Sequence, residues 1–459
     1  MMLTFDEAAR ALQATVRGAR RAPSRVIVST DTRTLQDGQT FLALRGERFD
    51  GHEYVEAAVR KGAAAVIVDR PAGIALDVAA LIVPDTRAAY LKLAAAARAK
   101  FPGQVVAITG STGKTTTKAL LAQLLETEFG ERIAVSPANE NNEIGVSKLF
   151  LDAPLDAGVI LVEMGARHFG DIETLVEVAL PEVGILTNVG EAHLEIMGTR
   201  ERLAQTKWAL FSRGAQAVLN VRDRVALQEA AGLQRPPRWF GAGKTDLPKV
   251  HEHERGAFIL DRQTLRLVNG DRQEEHAIDV RLPGQYNLEN LAAAVAGALE
   301  LGCSAHALVA AIGGLRLPPG RYETIVIEGQ PRVIYDAYNA SASGTIATLD
   351  AFAREPAARR IAILSSMAEL GTSASAMHQA VGAHAALSGV DFLLVGGANA
   401  NDLRAGAQST GFPAERIADF YSNEEAAKWV REHARADDVV LLKGSRRYKL
   451  EEIVERLRA

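Results

Sequence analysis

Cysteine is almost absent from this chain, whose 459 residues include only Cys303. A single cysteine excludes an internal disulfide framework and a zinc site of clustered cysteines, and it suits a reducing compartment. Long apolar runs are missing too, because no stretch approaches the roughly 20 apolar residues that span a bilayer. The first residues lack a basic segment followed by an apolar run. We therefore expect a cytoplasmic protein without membrane insertion.

An excess of charge of one sign is also missing. Lys and Arg together number 52 and Asp and Glu 56, which gives a formal net charge of −4. The two signs are interspersed, so the chain lacks the basic patch that binds nucleic acid. We expect small-molecule partners and no nucleic acid. No pattern marks a subunit contact, and a monomer is the working expectation.

The chain is too long for one hydrophobic core, since domains usually hold roughly 100–200 residues. Two breaks divide it. Phe101-Pro102-Gly103 ends a predicted helix, and Leu317-Pro318-Pro319-Gly320 is rich in turn residues. We predict three α/β domains, at residues 1–100, 101–316 and 317–459.

Short apolar runs alternate with helical stretches in all three blocks. The first is a small α/β domain, the second has the pattern of a mostly parallel sheet covered on both faces, and the third is Rossmann-like. Predicted strands are 25–29, 40–44, 64–68 and 81–83 in the first block; 105–109, 159–163, 183–188 and 217–220 in the second; 333–336, 361–364, 392–395 and 439–442 in the third.

A glycine-rich turn joins the first strand of the second block to a predicted helix. It consists of Gly110, Ser111, Thr112, Gly113, Lys114, Thr115 and Thr116. Backbone N–H groups of such a turn surround phosphate oxygens, the lysine reaches the β- and γ-phosphates, and a threonine hydroxyl binds Mg²⁺. Ile108 stands where the usual first glycine would be. An ordinary tight turn does not explain a lysine followed by three threonines, so we predict an ATP site.

Three other side chains are candidates for the same site. Glu163 ends a neighbouring predicted strand, His193 follows the next one, and Lys207 lies on a predicted helix. Carboxyl ends of parallel strands converge at one edge of the sheet, and Mg²⁺ prefers hard oxygen ligands. Taken singly, each has a plainer interpretation: a solvated strand-end charge, a structural histidine and a surface lysine.

Taken together, the segments resemble the Mur ligases over almost the whole chain. The first block carries Asp31-Thr32-Arg33, then Gly46 and Asp50-Gly51-His52 in a longer matching run. In the family this region binds the uridine end of the substrate. The resemblance therefore implies substrate binding by Asp31, Thr32, Arg33, Gly46, Asp50 and His52.

Central motifs carry the resemblance further. Asn141 and Asn142 match the family's asparagine-rich substrate loop, and Glu163 matches its metal-binding strand end. His193 matches the histidine of a second Mg²⁺ site, and Lys207 the lysine that such ligases carry as N-carboxylysine. The resemblance implies Lys114, His193 and Lys207 as catalytic residues and two Mg²⁺ sites, with Thr115, Glu163, His193 and Lys207 as ligands. Trp208 stands where glycine is frequent.

Motifs near the nucleotide and acceptor complete the match. The resemblance assigns Asn287, Asn290, Arg321 and Asp336 to ATP, and Tyr338, Asn339 and Lys443 to the substrates. Departures gather in the third block. The family's Asn-Ala-Asn-Pro becomes Asn339-Ala340-Ser341-Ala342, and its Gly-Asp-Met-x-Glu-Leu-Gly becomes Ser365-Ser366-Met367-Ala368-Glu369-Leu370-Gly371.

The reaction that the resemblance implies is amide formation driven by ATP. Within the family, the pattern is nearest to the member that joins D-alanyl-D-alanine to UDP-N-acetylmuramoyl-tripeptide through an acyl phosphate, in peptidoglycan precursor synthesis. The uridine, ATP and acceptor roles then fall to the three domains in chain order. Alternatives are the ligase for the third residue, folylpolyglutamate synthase, a nucleotide switch or motor, and a non-catalytic homologue. The third residue of the tripeptide is not marked by any motif.

Overall fold

The computed structural model describes residues 3–18, 22–46, 49–70, 78–137, 140–190, 197–244 and 255–458. Its strands form a small two-stranded sheet and three larger sheets of five, nine and six strands. Helices accompany the three larger sheets, so the predicted α/β class with mostly parallel sheets is confirmed. Within the described ranges no helix is both long enough and apolar enough to cross a membrane.

The first unit is built on the five-stranded sheet, ordered β2-β7-β6-β5-β4, in which only the β2–β7 pair is antiparallel. The predicted strand at 25–29 is divided, because Arg25 and Val26 pair with β1 whereas Val28 and Ser29 pair with β5. Its elements are β1 Leu3–Thr4, α1 Phe5–Leu12, β2 Thr15–Arg17, β3 Arg25–Val26, β4 Val28–Ser29, β5 Thr40–Leu42, α2 Val55–Arg60, β6 Ala65–Val68, β7 Ala79–Ile82 and α3 Thr86–Ala99.

Helix α3 attaches this unit to the next. Its N-cap is Asp85, whose carboxylate accepts the Ala88 N–H at 2.7 Å and satisfies an otherwise free donor of the first turn. Near its end the buried Arg98 guanidinium donates to the carbonyls of Ala179, at 2.7 Å, and Leu180, at 3.0 Å. These bonds fix the orientation of the first unit on the second.

The central unit is the nine-stranded sheet, ordered β16-β15-β14-β13-β12-β11-β8-β10-β9. Pairing is parallel from β9 to β14, and β14, β15 and β16 continue as an antiparallel meander. Strands are β8 Gln104–Thr109, β9 Ile133–Val135, β10 Val159–Glu163, β11 Val183–Leu186, β12 Gln216–Asn220, β13 Arg238–Ala242, β14 Arg255–Asp261, β15 Thr264–Asn269 and β16 Arg272–Ala277. Helices are α4 Lys114–Phe129, α5 Glu143–Asp152, α6 Asp171–Ala179, α7 Arg200–Trp208, α8 Arg224–Glu229, α9 Gln285–Glu300 and α10 Ala305–Ile312.

Register brings the carboxyl ends of three central strands together. Glu163 of β10 pairs with Ile108 of β8, and Leu186 of β11 pairs with Thr109 of β8. Separate hydrophobic clusters cover the two faces of the sheet, one including Leu121 and Leu291 from α4 and α9. A ligand site is expected at such an edge, where loops leave the strands of a covered parallel sheet.

The third unit is the six-stranded sheet, ordered β17-β18-β22-β19-β20-β21, with only the β17–β18 pair antiparallel. Before it, Gln123 of α4 pairs with both backbone groups of Arg316, each at 2.9 Å, which fixes the start of the linker. Elements are β17 Glu323–Ile325, β18 Arg332–Tyr335, α11 Ala342–Phe352, β19 Arg360–Ser365, α12 Ala374–Leu387, β20 Phe392–Gly396, α13 Ala400–Ser409, β21 Ile417–Phe420, α14 Asn423–His433, β22 Val439–Lys443 and α15 Glu451–Arg458.

Candidate active site

A cleft of about 2590 Å³ is bordered by residues of all three units. Most of the residues selected from the sequence line it. They are Asp31, Thr32, Arg33 and Gly46 of the first unit; Ser111, Thr112, Gly113, Lys114, Thr115, Thr116, Asn141, Asn142, Glu163 and Asn290 of the second; and Arg321, Asp336, Tyr338, Asn339 and Lys443 of the third.

Five selected residues do not line the cleft: Gly110, Asp50, His52, Asn287 and Lys207. The His52 ring bridges Asp50, at 2.7 Å from Nδ1, and the Asp69 N–H, at 3.1 Å from Nε2. Hydrogen bonding by the His52 backbone N–H is the main cause that lowers the pKa of Asp50 to about 2. Asp50 and His52 thus form a hydrogen-bonded cluster with Asp69. His193 lies outside the described residues.

The phosphate loop is shaped by glycine conformation and by strand β11. Gly113 has φ +83°, and a Cβ placed on it would lie 2.4 Å from Asn290 Oδ1. Beyond β11, Thr187 Oγ1 donates to the Thr112 carbonyl at 2.6 Å, and Asn188 Oδ1 accepts the Thr112 N–H at 3.1 Å. The loop is therefore held open around backbone N–H groups at the start of α4, where an anion binds well.

Lys114 is the first residue of helix α4, and its side chain lies along the loop. Its Nζ donates to the Gly110 carbonyl at 2.7 Å. Burial lowers the pKa of Lys114, the nearby Glu163 charge opposes that change, and Arg321 adds to it. The two cations and the loop N–H groups make this part of the cleft suitable for a polyphosphate.

Glu163 is the acidic centre of the site. Its side chain is only 2% exposed, and Oε1 accepts from Asn141 Nδ2 at 3.0 Å and from Thr115 Oγ1 at 3.3 Å. Arg321 Nη2 approaches the same Thr115 hydroxyl at 3.4 Å. A buried carboxylate and a hydroxyl beside the phosphate loop are hard oxygen donors of the kind that Mg²⁺ uses.

The donor set fits a metal that arrives with the nucleotide. Among the described residues no group of three or more His, Cys, Asp or Glu could hold a metal by itself. Mg²⁺ in nucleotide enzymes is typically held by one or two carboxylates together with the substrate phosphates. Glu163 and Thr115 satisfy this description.

Lys207 is buried on helix α7, with 1% of its surface exposed. Burial, and then the positive charge of Lys114, lower its pKa well below the ordinary value of a lysine. The neighbouring Trp208, at the position where glycine was expected, packs its ring edge-on against Phe211 with the centroids 4.9 Å apart. The indole is thus accommodated by an aromatic contact.

In the third unit, two of the residues that line the cleft form a buried ion pair. Lys443 Nζ is 2.8 Å from Asp336 Oδ2, which also accepts from Thr348 Oγ1 at 2.6 Å. Arg321 stacks over the Tyr338 ring at 4.5 Å from its centroid. These contacts bring four of the selected residues, Arg321, Asp336, Tyr338 and Lys443, to one end of the cleft.

The loop that departs from the family pattern is held by a histidine. Met367 donates its N–H to His378 Nε2 at 2.8 Å, and His378 Nδ1 is 2.6 Å from the Ala374 carbonyl. Because Nε2 accepts, the imidazole is neutral with its proton on Nδ1. Ala368, Glu369 and Leu370 of this loop line the cleft.

Sequence reasoning missed several cations and one buried lysine. Among the missed cations, Arg87, Lys148, Arg167, Arg446 and Arg447 line the cleft. Of these, Arg87 is paired with Glu143, Lys148 with Asp152 and Arg446 with Glu451. Lys118, one turn after Lys114, is 4% exposed and lies 3.0 Å from Glu163 Oε2. Its position four residues after the loop lysine was the available signal, because residues i and i+4 share a helix face.

Comparison with known proteins defines the class. Family models match three parts of the chain: "Mur ligase family, catalytic domain" at 26–104, "Mur ligase middle domain" at 108–298 and "Mur ligase, glutamate ligase domain" at 320–446. The chain belongs to the Mur ligase family, as the motifs predicted. A relative from Synechocystis, 39% identical over 83% of this chain and 81% of its own length, is named UDP-N-acetylmuramoyl-tripeptide--D-alanyl-D-alanine ligase.

Solved structures agree with this relationship. The chain matches MurF from Acinetobacter baumannii with a TM-score of 0.87 and 26% identity, covering 100% of this chain and 99% of that one. It also matches the MurF ligase from Thermotoga maritima in complex with ADP, with a TM-score of 0.80 and 27% identity over 94% and 96% of the two chains.

Proposed function

We propose that this chain is an ATP-dependent amide ligase that adds D-alanyl-D-alanine to UDP-N-acetylmuramoyl-tripeptide in peptidoglycan precursor synthesis. The observation that carries the proposal is a single cleft in which the phosphate loop, buried Glu163 and the Arg321–Tyr338 pair meet a surface of the first unit. A protein that acts only as a nucleotide switch would not need the surface of the first unit in this cleft. The names of the family relatives support the same substrates.

The first step joins two anions. The terminal carboxylate of the tripeptide attacks the γ-phosphorus of ATP, the bond to the bridging oxygen breaks, and ADP leaves an acyl phosphate behind. Lys114, Arg321 and the N–H groups of the phosphate loop offset the negative charge that gathers in this step. Asn141, which is bonded to Glu163 and lines the cleft, would contact the substrate beside the nucleotide.

The second step makes the amide. The amine of D-alanyl-D-alanine attacks the acyl carbon, the resulting tetrahedral centre expels phosphate, and the proton that the amine loses leaves with the phosphate. An acyl phosphate hydrolyses in water, so residues of the third unit that cover the site protect it. The candidates for this role line the cleft and are Tyr338, Asn339 and the loop at Ala368, Glu369 and Leu370.

Two Mg²⁺ ions belong to this proposal. Glu163 and Thr115 would hold one, and His193 with N-carboxylated Lys207 would hold the other. Bound Mg²⁺ neutralises phosphate charge and polarises the phosphorus–oxygen bonds. A neutral amine is the form that adds CO₂, and the lowered pKa of buried Lys207 favours that form. The carbamate then presents carboxylate-like oxygens.

The division of labour follows the three units. Residues 1–100 bind the UDP end of the substrate, 101–316 bind ATP, and 317–459 bind the incoming amine. The Asp31–Arg33 pair, 2.6 Å apart at Oδ2 and Nη2, lies in the cleft at the first unit. We further propose that the enzyme acts in the cytoplasm as a monomer.

An omission experiment tests the function. Purified protein is incubated with Mg-ATP, UDP-N-acetylmuramoyl-tripeptide and D-alanyl-D-alanine, and each component is left out in turn while ADP is measured. We expect full ADP release only when all three are present. ADP release that is indifferent to both the tripeptide and the dipeptide contradicts the ligase proposal and favours a simple ATPase.

A further inference from the structure

Lys118 is a buried cation that the reaction above does not use. It lies on helix α4, is 4% exposed, and does not line the cleft. Its Nζ donates to the Ser136 carbonyl at 2.8 Å and lies 3.4 Å from both Ser136 Oγ and the Pro137 carbonyl. A lysine so enclosed has no access to substrate, so a role must come through its partners.

Its acidic partner is Glu163. Lys118 Nζ lies 3.0 Å from Glu163 Oε2, and both side chains are at least nine-tenths buried. That oxygen accepts no aligned hydrogen bond from the described residues, so the contact is an ion pair that offsets the burial of the carboxylate. Two buried charges separated from water hold each other more firmly than an exposed pair does.

The pairing gives the two carboxylate oxygens different surroundings. Oε2 faces Lys118, whereas Oε1 faces Thr115 and Asn141, which line the cleft. The Glu163 backbone is held as well, because its N–H donates to Ser136 Oγ at 2.9 Å. Ser136 therefore fixes the backbone of Glu163, and Lys118 fixes Oε2 of its carboxylate.

We propose that Lys118 is a positioning residue that anchors Glu163 Oε2, so that Oε1 faces the Mg²⁺ of the bound nucleotide. This role rests on the proposed nucleotide chemistry at Glu163. Lys118 acts from behind the metal ligand, as partners of ligating groups do in metal sites generally. It differs from Lys114, whose side chain reaches the cleft itself.

The test measures Mg²⁺-dependent ADP binding by titration calorimetry, because this readout needs neither the tripeptide nor the amine. Four proteins are compared: wild type, Lys118→Met, Glu163→Gln and the double variant. Lys428→Met is the matched control, since Lys428 is exposed on helix α14, far along the chain from the site. Circular dichroism and thermal melting establish that each variant is folded.

For Lys118→Met we expect the Mg²⁺ concentration for half-maximal ADP binding to rise about tenfold, with metal-free ADP affinity changing less than about twofold. In the Glu163→Gln background the same change adds little, because the anchored carboxylate is already gone. Lys428→Met behaves as wild type. If Lys118 had only a structural role, Lys118→Met would lower the melting temperature without changing the Mg²⁺ dependence of ADP binding.

If Lys118→Met does not fold, the milder variant Ser136→Ala provides the test. Ser136→Ala removes the hydroxyl that bonds the Glu163 N–H and contacts Lys118. It is expected to raise the half-saturating Mg²⁺ concentration about threefold.

Unchanged Mg²⁺ dependence in the folded Lys118 variant, or in Ser136→Ala when the Lys118 variant does not fold, overturns the proposal. A full tenfold effect of Lys118→Met on top of Glu163→Gln overturns it too. A wild type that binds Mg-ADP but makes no amide contradicts the proposed function and leaves this inference standing.

Discussion

Lys443 and Asp336 form an ion pair of 2.8 Å in the third unit, and both side chains are at least nine-tenths buried. Lys443 ends strand β22 and Asp336 follows strand β18, two neighbouring parallel strands. Asp336 also accepts the Tyr322 N–H at 3.1 Å, which ties the interdomain linker to the same carboxylate. The pair therefore joins the base of the cleft to the segment that connects the two larger units.

Lys443→Met is predicted to destabilise the protein by about 3–5 kcal/mol, because it leaves the Asp336 charge buried without its partner. Urea unfolding followed by circular dichroism measures the effect. The exposed Lys428→Met is the control and should change stability by less than about 0.5 kcal/mol. Equal urea midpoints for Lys443→Met and Lys428→Met would show that the Lys443–Asp336 ion pair does not stabilise the protein.

Gly113→Ala is predicted to weaken nucleotide binding at least about tenfold, because the new Cβ would meet Asn290 Oδ1 at 2.4 Å and Gly113 has φ +83°. The loop must then move away from the position in which we propose that it surrounds the phosphates. Calorimetric titration with Mg-ADP measures the loss. Gly232→Ala, where no atom lies within 4 Å of the new Cβ, is the control. Wild-type affinity in Gly113→Ala contradicts the assigned loop geometry.

Lys207→Ala is predicted to lose nearly all ligase activity and to recover part of it with short carboxylic acids. The acid is expected to occupy the space of the missing side chain and to replace the oxygen ligand of the proposed carbamate. Initial rates of ADP release with and without added acetate measure the rescue. Chloride at equal ionic strength is the control. A fully active Lys207→Ala removes the carbamate from the mechanism.

His378 is predicted to make stability depend on pH. Burial lowers its pKa from the ordinary 6.5, Asp402 opposes that change, and Arg447 adds to it. The unfolded chain therefore takes up a proton at higher pH than the folded one. The stability from neutral His378 is complete above about pH 6.5 and is lost as pH falls through the folded-state pKa.

Urea unfolding at pH 7.5 and pH 5.5 tests this for wild type and His378→Leu. The variant should be less stable at pH 7.5, because the Met367 N–H loses its partner. Its free energy of unfolding should fall less between the two pH values than that of wild type, by up to about 1.4 kcal/mol for each unit of pKa shift. The same decline in both proteins contradicts the assignment.

Strands could be predicted from the sequence where both faces of the strand are buried. The runs at β8 and β10 are apolar because neighbouring strands and helices cover both faces, and the structure has strands at both predicted positions. The antiparallel meander was missed. Its edge strand β16, Arg272–Ala277, is polar and largely exposed, so it lacks the apolar alternation that predicts a strand.

The residues of the candidate site also divide into those that the sequence could locate and those that it could not. Lys114 and Thr115 could be located because a phosphate loop has a local spacing. Lys118 could not be assigned a role from the sequence, because its partners Ser136 and Glu163 are brought to it by parallel strand pairing. The inward position of His52, between Asp50 and Asp69, likewise depends on folding rather than on a motif.

The central claim is amide formation through an acyl phosphate, and oxygen tracing tests it most directly. UDP-N-acetylmuramoyl-tripeptide labelled with ¹⁸O in its terminal carboxylate is incubated with the enzyme, Mg-ATP and D-alanyl-D-alanine, and phosphate and product are analysed by mass spectrometry. We predict one ¹⁸O atom in each phosphate released and a pentapeptide product that keeps the other ¹⁸O, with the mass of both substrates less one H₂¹⁸O. Unlabelled phosphate, or ADP formed without the pentapeptide, would contradict the account.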